Sequence, residues 1–270
     1  MIDIPGGIVL AGGGKMGGAL LAAWLESGVT PANVYVVEPD AAAAERMAAL
    51  GVNVGADTAS LPDKAAIVIF AVKPQVMNAV VPHYRPLASA ETVFLSIAAG
   101  CTIKLFESHL GDRPVVRSMP NTPAAIGLGM TVACANGHVS AAQRAQCQML
   151  LEAVGEVAWV SDEAQMDPVT AVSGSGPAYV FLLIESLAAA GVEAGLAPNL
   201  AMRLARATVR GAGELASRAE DAPSQLRVNV TSPGGTTAAA LDVLMAEDGL
   251  GPLMQRAVAA ATRRSKELAG

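Results

Sequence analysis

The sequence predicts an α/β protein, a doubly wound sheet followed by an all-helical half. Three observations carry that expectation. Short apolar, β-branched runs alternate with helix-like segments through the first half. A glycine-rich turn stands between the first strand-like run and the first helical one. After about Ser161 strand-like runs stop, and long segments rich in Ala and Leu take over.

Each element has its own signal. Ile8–Ala11 is a short apolar strand that runs into glycines. Ala19–Ser27 is a helix closed by Gly28, and Val34–Glu38 is a second strand. Ala41–Leu50 is a helix ended by Gly51. Ile67–Val72 is a continuous apolar run, the pattern of a strand buried on both faces of a parallel sheet. Val93–Ile97 and Val115-Val116 read as further strands, and Thr131–Cys134 and Val157–Val160 extend the sheet. Pro177–Gly195 is a helix with proline at its start and glycine past its end. Pro198–Arg218, Thr237–Ala246 and Leu250–Leu268 are three more. These patterns divide the chain into residues 1–162 and 163–270. No Gly/Ser linker marks the boundary, so the two parts share a rigid junction.

Composition narrows the function classes. The chain has 270 residues, of which 52% are hydrophobic and only 16% charged. The apolar content is Ala, Val, Leu and Met, since aromatics make up 3%. That suits closely packed helices with apolar surface to spare for a subunit interface. A net charge of −6 argues against a nucleic-acid partner. Ala178–Ala190 is apolar but interrupted by Glu185, so no membrane span is expected. The start, Met1-Ile-Asp-Ile-Pro5, lacks the basic region of a leader. Cys101, Cys134 and Cys147 form no CxxC pair and suit a reducing cytoplasm. The histidines show no metal-ligand spacing, so no metal is expected.

Gly12-Gly13-Gly14-Lys15-Met16-Gly17 fits G-x-G-x-x-G in the context that gives the pattern meaning, after a strand and at the start of a helix. The glycines allow a tight turn that aims backbone N–H groups at a pyrophosphate. This makes the first half a Rossmann-type dinucleotide domain. Glu38 ends the second strand about twenty residues later, where an acid accepts the ribose hydroxyls and repels a 2′-phosphate. It reads either as a ribose ligand that favours NADH or as a solvated acid at a strand end. No basic residue adjoins it, and Arg46 lies a helix away. Ala71-Val72-Lys73-Pro74 follows a buried strand, where such sheets bind ligands. Lys73 reads as a phosphate or ribose contact or as a surface lysine. Ser96–Gly100, with Ala98 at its centre, leaves room for a flat ring on backbone. Asn121, between two prolines, offers a donor and an acceptor.

Ser173-Gly-Ser-Gly-Pro177 is a second glycine–serine turn into a helix. The most distinctive segment comes later, Ser232-Pro233-Gly234-Gly235-Thr236-Thr237, just ahead of a good helix former. The free N–H groups of a helix start, with hydroxyls beside them, make a site for a carboxylate or phosphate.

Taken together, these segments resemble the pyrroline-5-carboxylate reductases, which complete proline biosynthesis. The resemblance rests on residues 12–17, 71–74, 96–100, 117–123, 172–179 and 232–237, in the family's order and across nearly the whole chain. Lys15 departs from it, since the family often has Asn there, and Glu38 sits uneasily with the family's usual NADPH. NADPH or NADH therefore both stand as cofactors. The resemblance implies a Rossmann domain and a helical dimerisation domain that interlocks with its twin, with dimers that often assemble further into decamers of five. It implies hydride transfer to the C=N carbon of 1-pyrroline-5-carboxylate, giving L-proline in the cytoplasm. Ser232 and the N–H groups of Gly234, Gly235, Thr236 and Thr237 would bind the substrate carboxylate. Thr237 would hydrogen-bond the ring nitrogen as the catalytic contribution. Alternatively, Thr236 and Thr237 merely cap the helix. Asn229 would touch the nicotinamide or order the loop.

Two rivals deserve comparison. A β-hydroxyacid-type dehydrogenase needs a lysine in the helical half, and between Ala164 and Thr262 there is none. A dinucleotide-sensing protein would need the cofactor site without a complete substrate loop.

Overall fold

A computed structural model describes residues 4–269. Met1–Asp3, read above as lacking a leader, lie outside the described residues. One compact unit runs to Gly174 and takes in the stretch from Ala261 onward; the other is Ser175–Ala260.

The first unit is built on a sheet of β1 (Ile8–Ala11), β2 (Val34–Val37), β3 (Asn53–Gly55), β4 (Ile67–Phe70), β5 (Val93–Ser96), β6 (Val115–Met119), β7 (Gly129–Ala135) and β8 (Gly155–Val160). Its order is β3-β2-β1-β4-β5-β6-β7-β8. Pairing is parallel except between β6 and β7. The chain reverses there through a 3₁₀ turn over Thr122–Ile126, closed by Gly127 at φ 71°. β3 is the strand that sequence reading misses. It holds a single strongly apolar residue, Val54, and forms by pairing with β2 in the register Tyr35↔Asn53.

Helices cover both faces of this sheet, as a doubly wound fold requires. They are α1 (Lys15–Glu26), α2 (Ala41–Ala48), α3 (Met77–Val80), α4 (Ile103–Leu110), α5 (Ala141–Glu152) and α6 (Met166–Val169). Alternate strand residues feed two cores. Ile8 and Leu10 of β1 join Leu20, Trp24 and Leu150 on one side. Val9 and Ala11 join Phe70, Tyr84 and Phe106 on the other. On that second side the Phe70 ring lies 5.2 Å from Tyr84 and 5.3 Å from Phe106. Trp24 Nε1 donates to Leu150 O at 2.8 Å, joining α1 to α5. Neither α4 nor α5 has a long apolar period, yet both carry caps. Thr102 accepts from Leu105 N, and Ser140 with Gln143 forms a capping box.

Past β8, the segment Glu163–Gly174 stays with the sheet. Met166 is fully buried in the second core. Arg117 on β6, 4% exposed, donates to Glu163 Oε1 at 2.9 Å. The same oxygen accepts from Ile103 N at 2.8 Å. Asp167 lies 3.9 Å from Arg117 and accepts from Ser265 Oγ at 2.7 Å. These polar ties explain why compactness divides the chain after Gly174, later than the end of the last strand.

The second unit is helical: α7 (Gly176–Glu193), α8 (Pro198–Arg218), α9 (Pro223–Asn229), α10 (Thr236–Leu244) and the start of α11 (Leu250–Ala269). α7 and α8 form a helical hairpin. Its seam is small, with Ala188, Ala201 and Ala205 buried and a Cβ at Gly191 only 3.3 Å from Ala201 Cβ. Much of the rest is apolar and open, including Phe181, Leu182, Leu183, Val243 and Met245. Glu163–Glu193 is long and apolar enough to cross a membrane, despite Glu185, with 6% of its most apolar window buried within the chain.

Candidate functional site

Four of the predicted cofactor segments meet at adjacent strand ends. β1 is flanked by β2 and β4, so this is the point where the strand order reverses, the place such sheets bind ligands. Register puts Ala11 opposite both Val37 and Phe70, and Phe70 opposite Ser96. The residues that follow these strands are therefore neighbours: Gly12–Gly17 after β1, Glu38 after β2, Ala71–Pro74 after β4, and Ala98 near the end of β5. Gly12 N donates to Val37 O at 2.9 Å, and Ala71 N to Ala11 O at 2.8 Å.

The glycine loop leaves little choice of residue at two positions. Gly12 sits at φ 96°, and a Cβ there would stand 3.0 Å from the Ala71 carbonyl. A Cβ at Gly17 would stand 2.3 Å from Gly12 O, so α1 leaves β1 only because that position is bare. Gly14 is different: nothing lies within 4 Å of where its Cβ would be. It is the N-cap of α1 and offers no side-chain cap, so the first N–H groups of α1 have no partner from a capping side chain. Buried Gly12 and Gly13 with exposed Gly14 and Lys15 form a cradle that fits a dinucleotide pyrophosphate. Met16 is half-buried behind it and packs on the core.

Glu38 is tied to that cradle. Its Oε2 accepts from Gly13 N at 2.6 Å, and its Oε1 from Asp40 N at 2.9 Å. Arg46, a helix away from Glu38 in the sequence, lines the same open cleft of about 570 Å³ because α2 turns back, and Lys15 and Asp40 line it too. Lys73 and Pro74 are exposed at the start of a 3₁₀ turn, while Ala98 is buried with its N–H donated to Ser96 Oγ at 3.3 Å.

Asn121 is occupied differently from its expectation. Its Oδ1 accepts from Met130 N at 2.9 Å, and its Nδ2 donates to Ser173 O and Oγ, both at 3.3 Å. Both ends of the amide are thus spent on the chain. Asn121 braces the β6–β7 turn against the π-helical turn Thr170–Gly174 that precedes α7. Single π turns recur at functional sites.

In the helical unit, Ser232–Thr237 forms a tight turn with Gly234 at φ 68°. Gly235 N donates to Ser232 O at 3.0 Å, so that N–H closes the turn and is not free for a ligand. Gly235 is the N-cap of α10 and no side chain caps the helix. Thr236 and Thr237 are the first two helical residues, so the alternative reading of them as caps is overturned. The free donors at this end are the N–H groups of Thr236, Thr237 and Ala238. Ser232 and Gly234 are exposed beside them, and Thr237 is half-buried. Asn229, at the end of α9, accepts from Gln225 Nε2 at 2.8 Å and donates to Asp221 at 3.3 Å. These contacts tie the end of α9 to the residues just ahead of it.

The three cysteines are free and buried, and burial pushes the Cys147 thiol up to about 12. They are poor nucleophiles. Among the described residues, no group of three or more His, Cys, Asp or Glu side chains is placed to hold a metal.

Comparison with known proteins accounts for both units. Residues 163–268 match the family described as pyrroline-5-carboxylate reductase dimerisation. Residues 7–100 match NADP oxidoreductase, coenzyme F420-dependent. The pyrroline-5-carboxylate reductase of Pseudomonas aeruginosa is 42% identical over 264 residues, 97% of this chain and 96% of that protein. A solved structure of the Coxiella burnetii enzyme superposes with TM-score 0.93 at 35% identity, covering 99% of this chain and all of that one (100%). The Plasmodium falciparum pyrroline carboxylate reductase, solved with NADP bound, gives 0.84 at 30% identity over 98% of this chain and 99% of its own. With relatives this similar across nearly its whole length, the chain belongs to the pyrroline-5-carboxylate reductase family.

Proposed function

We propose that this protein reduces the C=N bond of 1-pyrroline-5-carboxylate to give L-proline. The observation that carries the reading is the uncapped start of α10 behind Ser232–Gly235, in a chain whose other unit holds a dinucleotide cradle. A nicotinamide cofactor, NADH or NADPH, supplies the hydride. The chain's residues would hold it: backbone of Gly12–Gly17 at the pyrophosphate, Glu38 at the ribose, and Ala71–Pro74 and Ala98 along the strand ends.

The substrate has one anionic group, and α10 presents N–H donors and a positive helix end to it. Charge-assisted hydrogen bonds from Thr236, Thr237 and Ala238, with Ser232 Oγ beside them, fix the carboxylate and hence the ring. Thr237 Oγ1 hydrogen-bonds the ring nitrogen and steadies its proton, since a protonated imine accepts hydride far better than a neutral one. No histidine or lysine lies in Asn229–Thr237. The rate therefore comes mainly from holding donor and acceptor in attack geometry.

Residues 1–162 serve the cofactor, and 163–270 serve substrate and subunit pairing. The protein is a homodimer through its helical part, and a decamer of five dimers and a cytoplasmic location complete the reading. The test is oxidation of NADH or NADPH by purified protein, dependent on added 1-pyrroline-5-carboxylate, with L-proline identified as product. Cofactor binding without substrate-dependent oxidation would favour a dinucleotide sensor instead.

A further inference from the structure

We propose that Glu38, braced by the glycine loop, makes the adenosine end of the cleft select NADH over NADPH. The inference rests on the cofactor reading above and assigns its specificity. An acid at the end of β2 is common in dinucleotide folds, where it hydrogen-bonds the ribose 2′-OH. Here both oxygens are held. Gly13 N–H grips Oε2 at 2.6 Å, and Asp40 N–H grips Oε1 at 2.9 Å. Each oxygen keeps a lone pair for a ribose hydroxyl. To turn away, Glu38 must release Gly13, the residue that shapes the pyrophosphate cradle.

A second fixed charge stands close by. Asp40 caps α2 by accepting from Ala43 N at 2.8 Å, and it lines the same cleft as Glu38. A 2′-phosphate adds nearly two negative charges beside them. Lys15 and Arg46 also line the cleft. Among the described residues, neither forms a salt bridge with Glu38 or Asp40. They are the groups that would receive a 2′-phosphate once the Glu38 charge is gone, so one substitution shifts the preference.

The test measures binding by calorimetry with adenosine 5′-monophosphate and adenosine 2′,5′-bisphosphate, which carry the discriminating end and no nicotinamide. Wild type should bind the monophosphate at least about tenfold more tightly, the scale of like charges set side by side. Glu38→Gln keeps the shape and one acceptor for Gly13, and it should move the ratio at least about tenfold toward the bisphosphate. Glu38→Ser should move it the same way. A wild type that prefers the bisphosphate, or a ratio that Glu38→Gln leaves unchanged, overturns the assignment. Turnover is assayed separately with 1-pyrroline-5-carboxylate and each full cofactor. Turnover with NADPH preferred sinks only the selectivity, whereas no turnover with either cofactor sinks the functional reading.

Discussion

Thr237 is the residue on which the chemistry is most exposed to test. It lies inside α10 and does not cap it, so its removal should leave the fold alone. Thr237→Ala is expected to lower kcat/KM ten- to a thousandfold, about 1–4 kcal/mol of transition-state stabilisation. Thermal unfolding should stay where it was. An unchanged kcat/KM would remove Thr237 from the mechanism. At this scale the sequence points to residue types, because glycines, hydroxyls and an acid beside a strand end carry their chemistry with them. It could not say which of their polar atoms are already spent. Asn121 looks like a free donor in Met-Pro-Asn-Thr-Pro, yet Met130 and Ser173 take both ends of its amide. Gly235 N–H belongs to the turn for the same reason.

Among the elements, the tie from β6 to the segment after β8 carries a stability prediction. Arg117 is almost fully buried and meets Glu163 directly. Arg117→Ala would leave Glu163 and Asp167 without their cation, and removing one member of such a pair costs about 3–5 kcal/mol. A clear fall in the denaturant midpoint is expected; a change under about 1 kcal/mol would show that the pair is screened like a surface bridge. Strands β1, β4 and β5 were legible because burial on both faces demands a continuous apolar run. β3 was not, since Asn53-Val54-Gly55 has no pattern of its own and is a strand only beside β2. The helices α4 and α5 were missed in the sequence as well; their local signals are the caps at Thr102 and Ser140-x-x-Gln143. The reversal at β7 depends on the turn after Asn121, and a strand's residues do not encode its direction.

For the molecule as a whole, the apolar helical unit is the dominant fact. Phe181 is 57% exposed and Leu183 51% in the single chain, within the segment that matches a dimerisation family. Such a surface is unstable in water without a partner. Phe181→Asp should shift the protein toward monomer or aggregate, seen by light scattering, while the sheet unit still binds cofactor. An unaltered dimer would place the interface on another face.

What the sequence determined by itself was most of the strands, the long helices, the glycine turn into α1 and the turn that opens α10. These rest on local rules: alternation of apolar runs, bare glycines, proline at helix starts. Tertiary structure decided the matters that depend on residues far apart in the chain. It returned Arg46 to the cleft of Glu38, locked Glu38 onto Gly13, and joined Glu163–Gly174 to the sheet through Arg117. The reason is physical. A residue's type fixes which bonds it is able to make, but only packing decides which partner comes within three ångströms or so of it.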